Sequence, residues 1–121
     1  MSIPNDALRK LVQEIESQAV AAQQQIGLVR TQLASKQRET RLAELTRSEM
    51  ATLPPGAAVY EGVGKIFVAV PVAAIQAKLA ARKKDLQAEA EALRSRLHYL
   101  ETTARNSQDH IDTLLKGGAT G

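Results

Sequence analysis

"VYEGVGKIFVAVP", residues 59–71, is the stretch on which the fold turns. To either side the chain is polar, alanine-rich and helical in pattern. Here it becomes β-branched and aromatic, and two of the three aromatic residues, Tyr60 and Phe67, lie inside it, Tyr99 being the third. Val59, Tyr60 and Glu61 precede Gly62-Val63-Gly64-Lys65, and Ile66 to Val70 follow it. Strand-forming runs around a glycine-containing tetrad predict a β-hairpin. Alternation puts Ile66, Val68 and Val70 on one face and Phe67 and Ala69 on the other, so both faces are apolar. A free two-stranded hairpin is marginal in water, and its open edges invite pairing. The hairpin is therefore expected to join strands of other chains; the alternative is packing against the helix ends of its own chain. A nucleotide loop does not fit. Gly62-Val63-Gly64 lacks the third glycine of the dinucleotide fingerprint, a strand-like run follows it, and Walker-type residues are missing.

Outward from this stretch, apolar residues fall into heptads. In the first half Leu8, Ile15, Ala22 and Val29 make one series, and Val12, Ala19, Ile26 and Leu33 its companion. Their alternating spacing is the seam of a coiled coil. Lys36 and Thr40 then stand where apolar residues are due, and Leu42 and Leu45 read as a resumption in shifted phase. In the second half Leu79, Leu86, Leu93 and Leu100 repeat every seven residues, with Ser107 and Leu114 continuing the series. Ile75 begins the companion, which Arg82, Glu89 and Arg96 interrupt. Leu97, Ala104 and Ile111 recover it one residue later, which reads as a phase shift.

Thr46-Arg47-Ser48-Glu49 has the spacing of a capping box, predicting a short helix that buries Met50 and Leu53. Pro54-Pro55-Gly56 must end it. The second helix is expected to start at Pro71-Val72 and to stop at Lys116-Gly117-Gly118. The expected fold is mainly α: a long antiparallel coiled-coil hairpin whose two helices are joined by a short helix and a β-hairpin. It forms a single domain over residues 1–121, with helix 1 over 5–45, the short helix over 47–53, the β-hairpin over 58–70, helix 2 over 72–116 and a flexible tail over 117–121. Helices of roughly 40 residues reach about 60 Å, and the chain's two ends are expected together at one tip.

Composition narrows the function. The chain has 121 residues, 2% aromatic content and no cysteine, so disulfides, thiolate nucleophiles and cysteine zinc sites are excluded. No signal-like or membrane-spanning run is present, and a soluble intracellular protein is expected. The net charge of +3 comes from cations scattered among carboxylates, the densest group being Arg82-Lys83-Lys84. That reads as a solvated helix face, not a phosphate-binding stripe. His98 and His110 lack the spacing of a helical metal pair, and no catalytic constellation appears. No enzyme activity, cofactor or metal is expected.

Helix, "LTRSEMATL", "VYEGVGKIFV" and a second heptad helix together resemble the beta-class subunits of prefoldin across residues 5–116. Pro71-Val72 departs from the pattern, since relatives usually carry a polar helix cap there. The resemblance implies an ATP-independent chaperone hexamer of two alpha-class and four beta-class subunits. Hairpins of all six chains would build a double β-barrel body from which the coiled coils hang. Val59, Tyr60, Val63, Ile66, Phe67, Val68 and Val70 would then contribute to the barrel and subunit contacts. The implied partners are two alpha-class and three further beta-class subunits, unfolded clients such as actin and tubulin chains, and the cytosolic chaperonin, with no membrane or nucleic acid. The implied location is cytoplasmic, with a nuclear pool allowed. Client contact would fall near the tip, at Leu8, Leu11, Val12, Ile111, Leu114 and Leu115. Fraying of the helix ends is expected to leave Leu8 and Ile111 partly exposed, with Leu11 and Leu115 the better candidates for exposure; the plainer reading pairs these residues in the seam. The rival readings are a structural coiled-coil adaptor without client binding and, third, a basic nucleic-acid module.

Overall fold

The computed structural model describes residues 4–120, with side chains as far as Gly117. The element order is α1 (Asn5–Ala51), β1 (Val59–Val63), β2 (Ile66–Val70) and α2 (Val72–Thr120). Two long helices with an antiparallel two-stranded hairpin between them in the chain form the expected mainly helical fold. The contacts divide into two compact units, one of residues 33–92 and one combining residues up to Gln32 with those from Leu93.

In the unit of the chain ends, the first-half heptads form the seam. Ile15, Ile26 and Val29 are buried, and Leu8, Val12, Ala19 and Ala22 are half-buried. Ala104 and Ile111 of α2 are buried with them, flanked by half-buried Leu97, Leu100 and Leu114. Cross-helix polar contacts line the sides: Arg30 pairs with Glu101 at 3.1 Å, and Arg96 donates to Gln25 at 3.4 Å.

The unit of residues 33–92 departs from the expected phase. Its seam keeps the strict seven-residue count through Lys36, Thr40, Ala43, Arg47 and Met50, of which Ala43 is buried and the others half-buried. Leu42 and Leu45, expected to resume the seam, are 65% and 55% exposed. In α2 the companion series is likewise unbroken: Gln76, Lys83, Ala90, Leu97, Ala104 and Ile111 follow one another at sevens, so no phase shift occurs. Arg82, Glu89 and Arg96 are exposed residues beside that row.

A polar seam is tolerated because Lys36, Lys83 and Gln76 find partners across it, while the Thr40 hydroxyl donates to the Lys36 carbonyl of its own helix. Lys36 Nζ lies 3.0 Å from Glu89, Lys83 Nζ 2.6 Å from Glu44, and Gln76 Nε2 donates to the Arg47 carbonyl at 3.1 Å. The ammonium heads reach carboxylates at the edge while their methylene stems cover apolar neighbours. Leu86 supplies the apolar centre, with no exposed surface, beside Ala90 and Ala43.

Three expected boundaries also move. The short helix at 47–53 does not exist separately, because α1 is continuous to Ala51. Thr46 is no cap: its hydroxyl donates to the Leu42 carbonyl at 2.8 Å, a bond made within a helix that nothing yet interrupts. Leu53, expected to be buried, is 42% exposed. Likewise α2 runs on through Gly117 to Thr120. Gly117 lacks the positive φ that a glycine C-cap would adopt. Of the expected tail, Gly121 lies outside the described residues.

Candidate functional site

The hairpin is delivered by a short, stiff connection. After Ala51 the helix tightens, with Thr52 and Leu53 amides donating to Glu49 and Met50 carbonyls at 3.2 Å. Pro54 cannot continue the helical ladder. Ala57 N–H then bonds the Pro54 carbonyl at 3.1 Å around Gly56, whose φ is +80°. Proline followed by left-handed glycine at the two central positions is the chemistry of a type II turn. Five pairs join the strands, from Val59↔Val70 to Val63↔Ile66. The loop is Gly64-Lys65, with Gly64 at φ +62°, as a II′ turn requires of its first central residue. Both strands therefore have five residues, and Gly62 and Val63 belong to β1 instead of to the loop.

The two faces differ in cover. Val59, Glu61 and Val63 share one with Ile66, Val68 and Val70, as alternation required. Val59, Glu61 and Val70 are half-buried there, and Glu61 forms an ion pair with Lys78 of α2. The other face carries Tyr60, Gly62, Phe67 and Ala69, and all four are exposed. Phe67 is 77% and Tyr60 61% exposed. The Phe67 ring lies against Gly62, so close that a methyl group added there would stand 3.5 Å from it. Among the described residues neither strand has a second neighbour, so both outer edges of the sheet are open.

The structure thus brings Tyr60 and Phe67 together on one uncovered face and leaves Val63, Ile66 and Val68, on the opposite face, also exposed. Val59 and Val70, paired at the end of the ladder nearest the helices in sequence, are half-buried. Among the six residues expected to meet clients, Leu115 is 52% exposed, while Leu8, Leu11, Val12 and Leu114 are half-buried. Ile111, expected to be partly exposed, is only 5% exposed because it occupies the seam row itself. Nearby, alanines at Ala19 and Ala104 leave an open groove of about 770 Å³ floored by Ile26 and Val20, with the Arg30–Glu101 pair on its rim.

Leu42 and Leu45 were missed as surface residues. Counting on by sevens from Val29 through Lys36 to Ala43 would have placed them outside the seam. Beside them lies Glu44, whose titration is displaced. Its carboxyl is held below the usual carboxylate value by the hydrogen bond from Lys83, then by the Lys83 charge, and lastly by Arg47. The Arg47 Nε is buried and has no hydrogen-bond partner among the described residues. No described helix is long and apolar enough to cross a membrane.

Comparison with known proteins agrees with this geometry. The family model described as "Prefoldin subunit" matches residues 13–118. The chain is similar to the probable prefoldin subunit 1 of Schizosaccharomyces pombe, 32% identical over 107 residues that cover 88% of this chain and 96% of the relative. Human prefoldin subunit 1 is 29% identical over 95% of each chain. Among solved structures, the prefoldin beta subunit from Thermococcus strain KS-1 superposes with a TM-score of 0.80. It shares 27% identity, over 85% of this chain and 90% of that one. An uncovered apolar hairpin between two heptad helices, matched over nearly its whole length, shows that the chain belongs to the prefoldin subunit family of chaperones.

Proposed function

We propose that the chain enters a hetero-hexamer of prefoldin subunits through residues 59–70, and that the helix ends in the unit of the chain termini hold unfolded protein. Membership of the family carries assembly with other prefoldin subunits; the division of labour between hairpin and helix ends is our reading. One observation supports it above all: Phe67 and Tyr60 share an uncovered face on a two-stranded sheet with both edges open. Keeping such a surface in water costs roughly 25 cal/mol per Å² of apolar area, and strands from neighbouring subunits relieve that cost while pairing the free backbone groups. Val59, Val63, Ile66, Val68 and Val70 complete the set that this assembly uses.

Client contact belongs to Leu8, Leu11, Val12, Leu114 and Leu115, with Leu115 the most accessible of them. Ile111 supports these residues from the seam. Plural weak apolar contacts suit an ATP-independent holder, because each is released without a chemical step. The clients are unfolded chains of the actin and tubulin kind, passed to the cytosolic chaperonin, and the site of action is the cytoplasm.

The experiment is reconstitution with the other subunits, followed by native mass measurement and a client-aggregation assay. Ile66→Ser with Phe67→Ser should prevent hexamer formation while preserving helical circular dichroism. Removing residues 1–11 and 111–121 should preserve the hexamer and weaken suppression of aggregation. A normal hexamer from the first variant refutes the hairpin assignment; undiminished suppression by the second refutes the client site.

A further inference from the structure

The hairpin is a small surface for the task. Tyr60, Val63, Ile66, Phe67 and Val68 expose between 42% and 77% of their surface. At roughly 150–250 Å² for a large aromatic side chain, and less for the aliphatics, the five offer on the order of 500 Å². A stable interface removes about 800 Å² per partner, and this hairpin has two edges to share among neighbours.

In the same compact unit, α1 carries a second apolar surface. On a helix of 3.6 residues per turn, Leu42 and Leu45 stand on the side opposite the seam row of Lys36, Thr40, Ala43 and Arg47. They are among the most exposed aliphatic residues of the chain, at 65% and 55%. Leu53, on the tight turn that closes α1, is also 42% exposed. Arg38 and Arg41 flank the two leucines on this outer side, both exposed, and neither has an ion-pair partner among the described residues. Glu49, also exposed, lies one turn beyond Leu45.

We infer that the subunit interface extends from the hairpin onto this outer face of α1. There a neighbouring prefoldin subunit packs apolar side chains on Leu42 and Leu45 and sets carboxylates opposite Arg38 and Arg41. Area and charge both argue for it. The hairpin alone falls short of what a stable interface buries. The two leucines have no role in the seam, and the two unpaired guanidiniums call for an acidic rim. The inference rests on the hairpin being the assembly element.

The test uses the complete hexamer reconstituted with its partner subunits and compares three variants. Leu42→Ser with Leu45→Ser should raise the concentration at which the hexamer dissociates by tenfold or more in native mass measurement. The isolated chain's helical melt should shift only by the small helix-propensity difference between leucine and serine, because neither side chain is in the seam. Arg38→Glu with Arg41→Glu should weaken assembly most at low salt. Phe67→Ser is the reference: if it assembles as wild type, the underlying hairpin reading falls. If Phe67→Ser disrupts the hexamer while the leucine variant assembles as tightly as wild type, the extension onto α1 is overturned and the hairpin reading stands. A leucine variant with an intact hexamer but lost client suppression also overturns the inference, since the patch would then serve clients.

Discussion

Replacing Leu86 and Leu42 in turn by alanine removes the same three carbon atoms from the two helices and tests the seam register directly. Leu86 has no exposed surface and sits between Ala43 and Ala90 rows in the unit of residues 33–92, whereas Leu42 is 65% exposed. Burial of a leucine followed by truncation costs about 2–5 kcal/mol, more where the site cannot collapse. A two-helix seam is open on its flanks and relaxes, which puts Leu86→Ala near the lower end, at about 2–3 kcal/mol. That is a change of roughly 30–150-fold in the unfolding equilibrium, at about 1.4 kcal/mol per tenfold. In a chain of this size it lowers the melting temperature by on the order of 10 °C. Leu42→Ala should remain within about 0.5 kcal/mol, as exposed substitutions do. Urea titration of the isolated chain followed at 222 nm measures both. Equal losses, or the larger loss at Leu42, would refute the continuous heptad and restore a shifted seam.

Acidification should weaken the unit of residues 33–92 through Glu44. Its folded value lies below the ordinary carboxylate value, so its contribution is complete above that ordinary value and is lost as pH falls through the folded one. Glu44→Gln should flatten this part of the pH–stability curve, modestly and less at high salt because the pair meets solvent; an unaltered curve would exclude the Lys83 contact as the cause. In the hairpin, Gly64→Ala forces a side chain into the left-handed region at about 1 kcal/mol or more. Gly62→Ala meets the Phe67 ring at ordinary van der Waals distance and should be nearly neutral. Amide exchange across the Val63↔Ile66 pair should rise in the first variant and stay level in the second.

Much of this architecture was legible in the residues because the signals were periodic and local. Ile15, Ile26 and Val29 announce the seam by spacing alone, and the β-branched run around Gly64 announces the hairpin. What misled was the assumption that a seam position must be apolar. Lys36 and Lys83 keep their places because Glu89 and Glu44 stand across from them, and a partner on another helix leaves no mark in local sequence. Thr46 misled for a related reason. Its hydroxyl can serve a cap or the preceding turn, and only the unbroken backbone up to Ala51 decides for the turn. Of the site, the aromatic pair was readable from alternation. The outward turn of Leu42 and Leu45 depended on getting the polar seam right.

The polar contacts across the seam also differ in the length of chain they close. Gln76 reaches the Arg47 carbonyl across 29 residues of sequence, Arg82 reaches Glu39 across 43, and Arg30 meets Glu101 across 71. Closing a loop costs entropy that grows with its length, but little is added once a shorter one inside it has closed. On that account each pair is expected to prepare the next, so that the helices zip from the hairpin outward. Read backwards, the zipper opens first at the free helix ends, by local fraying that leaves the rest intact. On the proposal that these ends hold clients, Leu8, Leu114 and their neighbours would loosen around a captured chain and re-close after its release, without requiring the hairpin strands to unpair.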